Sequence, residues 1–109
     1  MKTLITISRD EEGMLRAVGT GRNRLVATFF ETDIQEDEEI ARELLTEVQA
    51  LRAGSKTRFE ISGNGHSLVL TGKTATIESL FDDSAPARRL KLEQFHELLR
   101  RWLTALDGD

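Results

Sequence analysis

Six of the nine residues from Glu31 to Glu39 are acidic, the densest grouping of chemistry-bearing side chains in the chain. Carboxylates so crowded could share a proton, hold a cation or present a negative surface. Calcium chelation fits poorly, because the regular oxygen-ligand spacing with its central glycine is absent. A working acid/base pair has nothing beyond abundance to recommend it.

The other candidates are weaker. His66 lies in the tight turn Ser62-Gly63-Asn64-Gly65-His66 and reads as solvent-facing. His96 lies at the edge of an apolar stripe and reads as a partly buried packing residue. Neither has a histidine four residues away, so a helical metal pair is not expected. Ser8, Ser62, Ser67, Ser79 and Ser84 lack the surroundings of a nucleophile elbow. Gly72-Lys73-Thr74 mimics the tail of a phosphate-binding loop, but Ser67 replaces the required first glycine and a strand pattern follows. Gly19-Thr20-Gly21 begins like a dinucleotide fingerprint, yet Arg24 replaces the third glycine. Both read as turns. Arg88, Arg89 and Lys91 precede the last helix and Arg100 and Arg101 sit on its outer face, with no interleaved aromatic platform for nucleic acid. They read as solvated charge. The expectation is therefore a non-enzymatic protein with no catalytic residue, cofactor or metal.

The elements that must position the acids follow from periodicity. Lys2–Ser8, Met14–Val18 and Leu25–Phe30 read as three strands, the last rich in aromatic and β-branched residues. From Ile34 to Ala53 the period changes. Ile40, Leu44, Val48 and Leu51 recur at helical spacing, with Thr32 or Asp33 as cap, Gln35 or Glu36 completing a capping box, and Gly54 as the stop. Thr57–Ser62, Ser67–Thr71 and Thr74–Phe81 read as three more strands. They are joined by an Asn64-Gly65 hairpin and a glycine-first turn at Gly72-Lys73. A polar loop from Asp82 to Ala87 leads to a helix from about Leu92, striped by Phe95, Leu99, Trp102, Leu103 and Leu106. The order β-β-β-α-β-β-β-α, with short turns, predicts one α+β domain over residues 1–109. Its mostly antiparallel sheet of about six strands would carry both helices on one side.

Composition sets the outer bounds. At 39% hydrophobic and 31% charged, a 109-residue chain closes a core without staples. The lack of cysteine excludes disulfides and thiolate metal sites and fits a cytoplasmic protein. No apolar run nears the ~20 residues of a membrane span, and the start reads as a strand rather than a signal peptide. A net charge of −4 argues against general binding to nucleic acid or membranes. The deficit lies in residues 1–53, with eleven acids against seven bases, while residues 54–109 carry eight of each.

Gly65-His66-Ser67-Leu68-Val69-Leu70-Thr71, the short turn, Thr76-Ile77-Glu78, an acidic loop and then Leu92-Glu93-Gln94-Phe95-His96-Glu97-Leu98-Leu99-Arg100-Arg101-Trp102-Leu103 form a hairpin-plus-helix ending. This last half resembles small bacterial immunity proteins of contact-dependent growth inhibition systems, in pattern rather than by a diagnostic motif. The resemblance implies a cytoplasmic protein that binds and neutralises one toxin domain. Many such toxins are nucleases with basic clefts, which an acidic surface would complement.

The expected binding surface is the helical stripe of Glu36, Glu39, Glu43 and Glu47, joined by Asp37, with Asp82 and Asp83 as a second acidic patch. First-turn acids are explained by the helix dipole, at ~0.3–1 kcal/mol each. Glu39, Glu43 and Glu47 are not. The competing class is a structural or regulatory homodimer paired through a sheet edge or exposed apolar surface.

Overall fold

The computed structural model describes residues 4–82 and 84–108. Strands β1 (Thr6–Arg9) and β2 (Leu15–Val18) form an antiparallel hairpin closed by Asp10, whose Oδ1 accepts the amides of Glu12 and Met14 at 2.9 Å. A 3₁₀ turn at Gly21–Asn23 opens helix α1 (Arg24–Phe29), which runs directly into a π-helical turn at Phe30–Ile34. Helix α2 (Glu38–Ala53) follows. Then come strands β3 (Arg58–Ser62), β4 (His66–Thr71), β5 (Thr74–Ser79) and β6 (Arg88–Lys91), and finally helix α3 (Leu92–Leu106). The chain is α+β, with a four-stranded antiparallel sheet in the order β3-β4-β5-β6 and a separate two-stranded sheet.

Three expectations are corrected. There is no single six-stranded sheet, and the order is β-β-α-α-β-β-β-β-α. The segment Leu25–Phe30 is helical. Its buried positions, Val26, Ala27, Phe29 and Phe30, continue to Asp33 and Ile34, one face of a helix. Six mostly apolar residues cannot distinguish a strand from a buried helix by themselves. Thr28 Oγ1 donates to the Arg24 carbonyl four residues back at 2.9 Å, as helical threonines do. The fourth strand of the large sheet is instead β6, which the sequence reading left unassigned ahead of the last helix.

Helix α2 also starts later than Ile34. Asp37, not Thr32 or Asp33, is its cap, accepting the Ile40 amide at 3.2 Å through Oδ1. Its far end is as expected: Gly54 takes φ +82°, and the amides of Gly54 and Ser55 return to Leu51 and Ala50. Both hairpins exist, but neither uses the anticipated turn geometry. Asn64, Gly65 and Gly72 all avoid positive φ. The Thr71 hydroxyl carries the second turn, accepting the Lys73 and Thr74 amides.

One face of the sheet, bearing Leu68, Leu70, Ala75, Ile77 and Leu90, is buried, while the intervening residues are half-exposed or exposed. Helices α1, α2 and α3 all contact that sheet, and β1–β2 lies against α1 and α3. At the centre Phe30 meets Phe95 and Trp102, with ring centroids 6.0 and 5.4 Å away. Trp102 donates its Nε1–H to the Gln35 carbonyl at 2.7 Å. Gln35 is the only described non-glycine residue at positive φ, 58°, and it terminates the π turn. The indole thus pins a strained helix end. Among the described residues no helix is long and apolar enough to cross a membrane.

Candidate functional site

The acidic block is largely consumed by the fold. Strand β2 is an edge, and its outward amides at Leu15 and Ala17 would otherwise be free. Glu36 Oε2 accepts Leu15 N at 3.2 Å, and Glu31 Oε2 accepts Ala17 N at 2.6 Å and Arg16 Nε at 3.1 Å. Two carboxylates from the π turn and its exit therefore finish the strand and block its pairing with another chain. Glu38 pairs with Arg42 one turn on, at 2.9 Å; that guanidinium, together with Asp107, holds the Glu38 carboxyl below its usual range. Glu47 pairs with Lys56.

Of the anticipated partner-binding residues, Glu36 and Asp37 thus have structural jobs, and Glu47 is half-buried in an ion pair. Glu39 and Glu43 remain exposed and make no ion pair among the described residues. Asp82 is elsewhere, on the β5–β6 loop, where its Oδ1 accepts the Ser84 amide and hydroxyl; these bonds lower its pKa. Asp83 lies outside the described residues.

Asp33, read as a possible cap, is instead buried at 8% exposure. Its Oδ2 accepts the amides of Gly65 and His66 at 3.2 and 3.0 Å. Its Oδ1 accepts the Thr32 hydroxyl at 2.6 Å and pairs with His66 Nδ1 at 2.8 Å. His66 is therefore not solvent-facing, which corrects the sequence reading: it is 5% exposed and stands edge-on to Phe29. The β3–β4 loop wraps around the carboxylate because Gly63 has no side chain. A Cβ there would come within 2.3 Å of Asp33 Oδ2. Asn64 Nδ2 donates to the Thr32 carbonyl at 2.9 Å, adding a second clamp from hairpin to helix.

Two sequence signals pointed this way. An acid stands on the apolar stripe of residues 26–34, and glycines flank Asn64 in the opposing loop. Neither reveals its partner alone. Since an ionised carboxylate accepts only, Asp33 fixes the proton of His66 on Nδ1 and leaves Nε2 for other work.

His66 borders a pocket of about 540 Å³ between α1 and the β5–β6 loop, lined also by Arg22, Arg24, Thr28, Ser79 and Arg88. A larger trough of about 970 Å³ runs between β1 and α3. No buried polar side chain lines it among the described residues. Beside the smaller pocket, Phe81 is 82% exposed and Leu80 43% exposed. His96, half-buried on α3, has its pKa lowered by desolvation and then by Arg52. Among the described residues no three metal-ligating side chains converge. Scans of protein-family models, characterised proteins and solved structures find no match for this chain.

Proposed function

We propose that the protein is an immunity-type inhibitor that binds a cognate toxin domain and covers its active site. One observation carries this reading. After Glu31, Asp33, Glu36, Asp37, Glu38 and Glu47 are assigned to internal contacts, Glu39 and Glu43 still stand exposed one turn apart on a well-anchored helix. Glu39 lies in the first turn of α2, where the helix dipole favours an acid, but Glu43 lies beyond it, and like charges at that spacing repel. A basic partner would gain steering and register. Asp82 supplies negative charge at a second place, next to Phe81. An exposed phenylalanine on a loop is the kind of apolar anchor that carries binding energy at protein interfaces.

The test is neutralisation. Co-expression with a cognate toxin domain should rescue growth, and reversing Glu39 and Glu43 to lysine should weaken binding while the fold persists. Unchanged affinity would remove α2 from the interface. Failure to rescue growth would remove the function.

A second reading, a regulatory homodimer, draws on strand β3. It is a sheet edge, exposed along most of its length, and Ile61 on it is 39% exposed. Light scattering after size exclusion separates the two. A monomer at ~50 μM, a concentration at which a stable dimer of micromolar Kd would be populated, contradicts the homodimer.

A further inference from the structure

The pocket between α1 and the β5–β6 loop is unlike the rest of the molecule's surface in its charge. The chain carries more acids than bases, yet Arg22, Arg24 and Arg88 all line this one concavity and none makes an ion pair among the described residues. Seven other basic side chains are paired with carboxylates. The single described carboxylate in the lining, Asp82, has its Oδ1 taken by Ser84. Arg88 is held by Asn23 Oδ1 at 3.1 Å through Nε and by the Arg89 carbonyl through Nη1, which fixes the guanidinium and leaves Nη2 without a partner among the described residues. Burial, and then the positive charge of Arg22, press against the Arg88 charge and lower its pKa.

The imidazole is the second, independent observation. The His66 side chain is 6% exposed, and Nδ1 is committed to Asp33. No protein atom among the described residues bonds Nε2. Since no fully buried side-chain nitrogen or oxygen lacks a partner, Nε2 keeps contact with open space, and the open space that His66 borders is this pocket. A nearly buried, oriented imidazole thus borders a hollow whose lining includes three arginines.

We propose that this pocket binds a phosphate monoester, with Arg22, Arg24 and Arg88 holding the phosphate oxygens and His66 Nε2 contacting the same group. Guanidinium forks match phosphate geometry, and a rigid Arg88 loses little entropy on binding. A phosphate monoanion donates its O–H to Nε2. Leu25, Ala85 and Pro86 form an apolar wall for the body of the ester. The site is independent of the acidic face of α2.

The chain's two histidines supply an internal control, because His96 on α3 is not part of the lining. Phenyl phosphate, inorganic phosphate and benzoate would each be titrated while the imidazole ¹⁵N resonances are followed. Phenyl phosphate should shift His66 saturably and leave His96 unmoved, with benzoate binding more weakly. Arg22→Gln and Arg24→Gln remove exposed side chains, so the fold survives. Together they should raise the phenyl phosphate Kd by about tenfold, about 1.4 kcal/mol. Equal movement of both histidines, benzoate binding as tightly as phenyl phosphate, or an unchanged Kd in the double variant would each overturn the site.

Discussion

Replacing Gly63 with alanine should break the clamp between the β3–β4 loop and the end of the π turn. A Cβ at this position would stand 2.3 Å from Asp33 Oδ2, about 1 Å short of an ordinary contact. Asp33 or the loop must move by that amount. The same oxygen accepts the amides of Gly65 at 3.2 Å and His66 at 3.0 Å, so the shift stretches both to about 4 Å, beyond hydrogen-bond range. Hydrogen bonds to a charged group contribute about 1.5–3 kcal/mol each, and the His66 amide would be left buried without a partner. The expected cost is ~3–5 kcal/mol, a large fraction of the 5–15 kcal/mol typical of a domain.

Urea unfolding followed through the single tryptophan, buried Trp102, measures this loss. The decisive comparison is a double-mutant cycle. In an Asp33→Ala background the carboxylate is gone. The nearest remaining obstacle is the Asp33 Cβ at 3.2 Å, which needs a shift of only a few tenths of an ångström. There Gly63→Ala should cost about 1 kcal/mol or less, giving a coupling of ~2–4 kcal/mol. An equal cost in both backgrounds, or a cost below ~1 kcal/mol in the parent, would refute the clamp.

Two further outcomes follow from the same region and from α3. Gln35 holds φ 58° and ψ −147°, a region that glycine tolerates and other residues enter at a cost of ~1–3 kcal/mol. Gln35→Gly should therefore be more stable than Gln35→Ala by about 1 kcal/mol despite glycine's extra chain entropy; the reverse order in urea melts would show that the backbone is unstrained there. His96 has a folded-state pKa below 6.5, so the unfolded chain takes up a proton first as pH falls. The stability its neutral form contributes is complete above pH 6.5 and is lost below it, as pH falls towards the depressed folded-state value. Melts from pH 7.5 to about 5.5 should decline less steeply in His96→Gln, whereas Glu38 and Asp82, with lowered carboxylate pKa values, act only below their ordinary values of 4.5 and 3.8. Identical pH slopes would remove His96 from that decline.

Much of the second half of the fold was legible because its signals are local. Phe59 and Ile61 alternate, turn residues sit between short strands, and Phe95, Leu99, Trp102 and Leu103 repeat at helical spacing. The first half misled where a signal was ambiguous. Leu25–Phe30 is apolar enough for either element, and only burial extending to Asp33 and Ile34 resolves it. Strand β6 was hidden because Arg88-Arg89-Leu90-Lys91 contributes one core side chain, Leu90, and owes its strand to pairing with β5.

The candidate sites were harder still, since each joins residues distant in sequence. Asp33 and His66 are 33 positions apart, and Arg22 and Arg88 meet only when α1 docks beside the β5–β6 loop. The acidic block was visible at once, but its meaning depends on Leu15, Ala17 and Lys56, which only the fold brings to Glu36, Glu31 and Glu47.

The proposed function rests on Glu39 and Glu43, the exposed acids of α2 that make no ion pair among the described residues. The most direct measurement is the affinity of the purified protein for a candidate toxin domain whose toxicity it suppresses on co-expression, compared with that of the Glu39→Lys, Glu43→Lys variant at low and high salt. The inhibitor account predicts tight binding by the parent and at least a tenfold loss in the variant, about 1.4 kcal/mol, shrinking as salt screens the surface. Absence of binding by the parent would contradict it.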